Sequence, residues 1–131
     1  MKKIIILLVL ALMLMHAPIQ THASNARNTR TCVKEHINMG TFKLTAYCPC
    51  ESCSDNFGRQ TSSGKTATAG RTIAVDPEVI DIGSRVLIGD HIYTAEDIGG
   101  LVDGDHIDIF FDTHEEVEEF GLRWKNVWVV R

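Results

Sequence analysis

Six short runs of β-branched, aliphatic and aromatic residues, each bounded by Gly, Pro or Asp, occupy residues 41 to 130 of this 131-residue chain. In the first, Phe42, Leu44 and Ala46 alternate with Thr41, Lys43, Thr45 and Tyr47, the period of a half-buried strand. The others are TIAV (72–75), RVLI (85–88), HIYTA (91–95), IDIFF (107–111) and VWVV (127–130). A Gly/Ser/Thr-rich stretch over 55–70 reads as a long loop. Six strands with this punctuation predict a mainly β fold closed into a small barrel, because closure leaves no exposed strand edge. One short helix is expected to interrupt the series. Thr113 followed by Glu116 is a capping box, Glu115 and Glu116 suit the positive end of the helix dipole, and Gly121 supplies a left-handed stop. Glu115, Glu116, Glu118 and Glu119 then read as a solvated helix face.

The N-terminus has a different character. Lys2 and Lys3 precede an apolar run from Ile4 to Met15, which is short against the roughly 20 residues of a transmembrane helix. A basic start, a short apolar core and small residues at Thr21 and Ala23 describe a secretory signal peptide over 1–23. Residues 24–37 read as a flexible leader and 38–131 as the folded domain. The whole chain carries 13 Lys+Arg against 17 Asp+Glu, a net charge of −4. Cleavage after Ala23 removes two lysines and no acids, leaving −6. That balance carries no basic stripe and argues against nucleic acid as a partner.

Cys48, Cys50 and Cys53 form a C-x-C-x-x-C cluster, with Cys32 upstream. Four thiols in a cytosolic chain would suggest zinc. Outside the cell, an even count favours two disulfides, in any of three pairings. Disulfides are the expectation here, with no metal and no cofactor. Other metal motifs fail. His114-Glu115 begins like a zincin but meets Glu118 where the second histidine is required, and Asp103/Asp105 meet Asp108 where a calcium loop needs glycine.

What remains is a set of aspartates at strand ends. Asp76 follows TIAV, Asp97 follows HIYTA and precedes Gly99-Gly100, and Asp108 lies inside IDIFF on the face opposite Ile107 and Ile109. A carboxylate in so apolar a strand is costly to bury as an anion. Burial and a like charge nearby raise its pKa, which is what a general acid needs. The paired glycines are expected to let a ligand approach the backbone or to take positive φ.

The motifs Thr45-Ala46-Tyr47, GRTIAVDP (70–77), DIGSRV (81–86), AEDIGG (95–100) and GDHIDIF (104–110) together resemble the 3D, or three-aspartate, domain of secreted bacterial cell-wall proteins. The resemblance spans about residues 41–131. It implies a six-stranded double-psi β-barrel, kinship with murein lytic transglycosylase A and more remotely with expansins, and peptidoglycan glycan strands as partner. It maps the three aspartates onto Asp76, Asp97 and Asp108, with Asp108 as catalytic acid, Asp97 as its charge partner and Asp76 in support. Thr45, Tyr47, Gly99 and Gly100 would line the sugar groove. Leu101, Val102 and Asp103 depart from the family's usual alanine and lysine there.

Two activities follow as expectations. A lytic transglycosylase cleaves the MurNAc-GlcNAc bond with one carboxyl, since the substrate's own 6-hydroxyl attacks C1 and leaves a 1,6-anhydromuramyl end. Alternatively, an expansin-like module binds glycan without turnover through Tyr47 and Trp124 or Trp128. Either is expected to be a secreted monomer at the cell wall, free of the membrane once the signal is cleaved.

Overall fold

The computed structural model describes residues 35–131, so the signal-peptide reading, most of the leader and Cys32 lie outside the described residues. All six expected strands form: β1 (His36–Tyr47), β2 (Thr72–Val75), β3 (Arg85–Ile88), β4 (His91–Asp97), β5 (His106–Phe110) and β6 (Arg123–Val130). β1 begins at His36, two residues inside the segment read as leader. Among the described residues, two helices appear where one was expected. α1 (Glu51–Ser54) is a single turn inside the cysteine loop, and α2 (His114–Phe120) is the expected helix.

The strands hydrogen-bond in a ring, in the order β1-β5-β2-β4-β3-β6 and back to β1. β1–β5 and β2–β4 are parallel, and the other four pairings are antiparallel. Each strand is paired on both sides, so the ring leaves no free edge among them. Phe42, Leu44, Ile73, Val75, Val86, Ile107, Ile109 and Val127 pack together as the core. Burying each such large side chain contributes about 1.5–3 kcal/mol.

Local sequence explains the bends. β1 runs for 12 residues and is kinked at Gly40, where its register against β6 shifts and φ reaches 94°. The Asn38 carboxamide oxygen accepts the Gly40 N–H there at 2.9 Å. A two-residue Gly89-Asp90 turn closes the β3–β4 hairpin, with positive φ at Gly89 alone, as a type II′ turn requires. At α2 both halves of the capping box form. Thr113 Oγ1 accepts the Glu116 N–H at 3.3 Å, and the Glu116 carboxylate accepts the Thr113 N–H at 3.0 Å. Gly121 ends α2 at φ 60°, ψ −140°, a glycine conformation with positive φ but outside the left-handed helical region that was expected. No helix among the described residues is long and apolar enough to cross a membrane.

Candidate functional site

Strand register assembles the site. Thr45 on β1 pairs with Asp108 on β5, Asp108 pairs with Ala74 on β2, and Ala74 pairs with Asp97 on β4. Four neighbouring strands thus contribute one transverse row, Thr45–Asp108–Ala74–Asp97. Neighbouring positions along it are about 4.8 Å apart. Ile73, Val75, Ile107 and Ile109 flank Ala74 and Asp108 along their strands and are buried in the core. Period two therefore turns Ala74 and Asp108 to the outer face. Asp97 joins the row through a bulge: Ile73 pairs with Ala95 but Ala74 with Asp97, leaving Glu96 as the extra residue.

Asp108, Ala74 and Asp97 of this row help to line a cleft of about 470 Å³, together with Tyr47, Phe57 and Ser62, whereas Thr45 stands behind Asp108 and does not line it. Ala74 is the small residue between the two carboxylates. The long loop forms the opposite wall and is fastened down. Arg59 makes an ion pair with Asp112 at 2.8 Å and lies over the Phe110 ring.

The two carboxylates are held differently. Asp97 accepts three hydrogen bonds: from the Tyr47 hydroxyl at 2.8 Å and from the Ser62 and Ile98 N–H groups, each at 2.9 Å. Burial, reinforced by the bond to Asp97, pushes the Tyr47 phenol far up, so it stays protonated as the donor. Asp108 accepts from the Thr45 hydroxyl at 2.8 Å. Burial raises its pKa and the Asp97 charge adds to the rise, while the Thr45 hydrogen bond and His106 oppose it; the net direction is upward.

His106 was not singled out from sequence, although it lies two residues before Asp108. Its Nε2 is 2.8 Å from Thr45 Oγ1 and its Nδ1 3.1 Å from the Leu101 carbonyl oxygen. A carbonyl only accepts, so Nδ1 carries a proton. If Thr45 donates to Asp108, Nε2 must donate to Thr45 and the ring is an imidazolium. If Thr45 donates to His106, the ring is neutral and Asp108 Oδ1 must itself carry a proton. Thr45 therefore couples the charge on His106 to the protonation of Asp108.

Glu96 was also missed. It is buried at 3% exposure and accepts from Thr72 Oγ1 (2.8 Å), Arg71 Nε (3.0 Å) and Lys65 Nζ (3.3 Å). Burial pushes its pKa up, but these three partners together outweigh that and hold it low. Lys65, and Ser63 bonding the Glu96 carbonyl oxygen at 2.6 Å, fasten the loop beside Ser62 and hence beside Asp97. The only sequence signal for this was a Glu adjoining the strand-end Asp97.

Asp76 does not line the cleft. Its carboxylate accepts the Gly104 N–H at 2.8 Å and the Glu78 N–H at 2.9 Å, and these backbone bonds, Gly104 first, lower its pKa. It joins the turn after β2 to the turn before β5. Gly99 and Gly100 do line the cleft, but neither has positive φ. Gly99 is small for another reason: a Cβ there would meet Val102 Cγ2 at 2.6 Å. Neither Trp124 nor Trp128 lines the cleft; the exposed aromatic that does is Phe57, at 69% exposure.

Residues 71–131, from the start of β2 to the end of the chain, match the family described as "3D domain". β1, which brings Thr45 and Tyr47, precedes the matched residues. The chain is 36% identical over 77 residues to the cell wall-binding protein YocH of Bacillus subtilis, covering 52% of this chain and 27% of YocH. It is 35% identical over 83 residues to the putative cell wall shaping protein YabE of the same organism, covering 62% of this chain and 20% of YabE. The match thus spans about a quarter or less of each relative's length. Among solved structures, the lytic transglycosylase MltA of Escherichia coli superposes with a TM-score of 0.49 at 22% identity, over 55% of this chain and 27% of MltA.

The cysteine cluster lies just ahead of the matched segment, and among the described residues no two of its sulfurs are at disulfide-bonding distance. Cys48, Cys50 and Cys53 are free thiols, with Cys48 and Cys50 sulfurs 3.1 Å apart against about 2.05 Å for a bond. Hydrogen bonds from Ser52 and then Cys48 draw the Cys50 thiol down to about 6, whereas burial pushes Cys48 up to about 12. His114, discarded as a zincin ligand, completes the group through Nδ1.

Proposed function

We propose that the cleft binds peptidoglycan glycan strands and cleaves the MurNAc-GlcNAc bond as a lytic transglycosylase, with Asp108 as the single general acid/base. The observation that carries this reading is the transverse row. It sets a partly buried carboxyl of raised pKa two strands from a second carboxylate, on the floor of an open cleft. Asp108 protonates the glycosidic oxygen as the C1–O bond breaks. The muramyl 6-hydroxyl attacks C1, and Asp108 takes the proton that hydroxyl releases, which closes the cycle with a 1,6-anhydromuramyl end. Asp97, oriented by Tyr47, Ser62 and Ile98, helps keep Asp108 protonated and faces the oxocarbenium-like charge. Asp76 supports the site at a distance by joining two turns. Tyr47 is read as a groove residue and Thr45 as its counterpart behind Asp108, both holding the carboxylates, and Gly99 and Gly100 as groove wall. The parallel pairs β1–β5 and β2–β4 in the ring support reading the fold as a double-psi β-barrel. The domain division at 23 and 37, secretion, cell-wall location and a monomeric state belong to the same proposal.

A second reading is a module that binds wall glycan without cutting it. It is favoured by the likeness to YocH, a cell wall-binding protein. Mass analysis of peptidoglycan digests separates the two. Anhydromuramyl products that vanish in Asp108→Asn support the transglycosylase, and reducing ends would make the protein a hydrolase. Co-sedimentation with sacculi without solubilised fragments would make it a binder.

A further inference from the structure

We propose that Cys48, Cys50, Cys53 and His114 form a structural zinc site that clamps one wall of the cleft. The four ligand atoms lie within 4.8 Å of one another, although the cysteines are more than sixty residues from the histidine in the chain. Tetrahedral zinc, with Zn–S about 2.3 Å and Zn–N about 2.0–2.1 Å, sets S···N edges near 3.5 Å. The observed distances from His114 Nδ1 are 3.4 Å to Cys53, 3.6 Å to Cys50 and 3.8 Å to Cys48. The Cys48–Cys50 pair, at 3.1 Å, must part by about 0.7 Å to reach the S···S edge of that tetrahedron. Three thiolates and one imidazole suit zinc over harder cations.

The histidine is also set up from behind. Its Nε2 lies 3.6 Å from the Glu118 carboxylate one turn along α2. A small rotation of the Glu118 side chain would bring that contact into hydrogen-bond range, which would keep a proton on Nε2 and leave the Nδ1 lone pair for metal. With four protein ligands the site has no open position, so its role is structural. It would tie the end of β1 and α1 to the start of α2, behind Cys53, Ser54 and Phe57 of the cleft wall.

The test uses the full chain, purified without a polyhistidine tag and with the thiols reduced. Elemental analysis should find about one zinc per chain, and cobalt(II) titration should give a thiolate-to-metal charge-transfer band with tetrahedral visible bands. His114→Ala should weaken cobalt binding at least tenfold, whereas Cys32→Ser should leave it unchanged. Should His114→Ala fail to fold, His114→Cys should keep one equivalent of metal. The proposal is overturned by a reduced, folded chain that shows no cobalt–thiolate band, or by a mapped disulfide between any two of Cys48, Cys50 and Cys53. It is equally overturned if Cys32→Ser abolishes binding while His114→Ala keeps it.

Discussion

Replacing Glu96 with Gln tests whether a buried carboxylate fastens the loop over the cleft. The variant is nearly isosteric and keeps a carbonyl oxygen for Thr72 Oγ1 and Arg71 Nε, but it turns an amide donor toward Lys65 Nζ. The Glu96 side chain is 4% exposed, whereas those of Lys65 and Arg71 are 58% and 47% exposed, so both cations return readily to water. The full cost of about 3–5 kcal/mol for breaking a buried pair therefore does not apply. Losing the Lys65 pair costs about 0.5 kcal/mol on the scale of exposed pairs. Weakening the Arg71 bond from charged to neutral acceptor costs about 0.5–1 kcal/mol, and leaving an amide N–H facing a cation costs about as much again. The sum is about 1.5–2.5 kcal/mol, or a melting-temperature drop of roughly 6–20 °C for a domain of this size. Glu96 has a lowered folded pKa, so its contribution is present above the unfolded glutamate value and is lost as pH falls through the folded value. The gap between wild type and variant should be widest near pH 7 and should close on acidification. Urea unfolding of both proteins across that range measures it. A gap under about 0.5 kcal/mol at pH 7, or one that persists undiminished in acid, would refute the clamp.

Other outcomes follow from the same geometry. Asp108 has a raised folded pKa, so its ionisation opposes folding once pH exceeds the unfolded aspartate value. Asp108→Asn should therefore abolish glycan cleavage while raising neutral-pH stability by about 0.5–2 kcal/mol, read by product analysis and thermal melting. A destabilised variant would contradict the burial argument. Because the His106 charge lowers the Asp108 pKa, His106→Gln should move the alkaline limb of cleavage to higher pH, and an unmoved limb would remove His106 from the proton chain. Gly99→Ala should cost about 1–3 kcal/mol by pushing on Val102, and Gly100→Ala, which meets open space, should melt close to wild type.

Much of the fold is legible in the sequence because it is local. Period-two alternation placed Asp108 opposite Ile107 and Ile109, and the structure keeps it there. Thr113 and Glu116 cap α2 as read, since a capping box needs only four consecutive residues. The site is legible only in part. Asp97 and Asp108 meet across Ala74 because a bulge at Glu96 advances β4 by one residue, and no residue in AEDIGG announces an unpaired position. Asp76 belongs to the same motif set, yet its carboxylate is taken up by the N–H groups of Glu78 and Gly104, away from the cleft.

By itself, then, the sequence determined the six strands, the capped helix and the outward face of Asp108, all set by neighbours within a few residues. Only the tertiary structure decided which strands adjoin, and so which carboxylates share a cleft. It likewise decided that Glu96 is a buried anchor, and that His114 stands among three thiols more than sixty residues away. Such placements depend on ring closure and on a one-residue slip in register. Both are set by packing over the whole core, which no local pattern encodes.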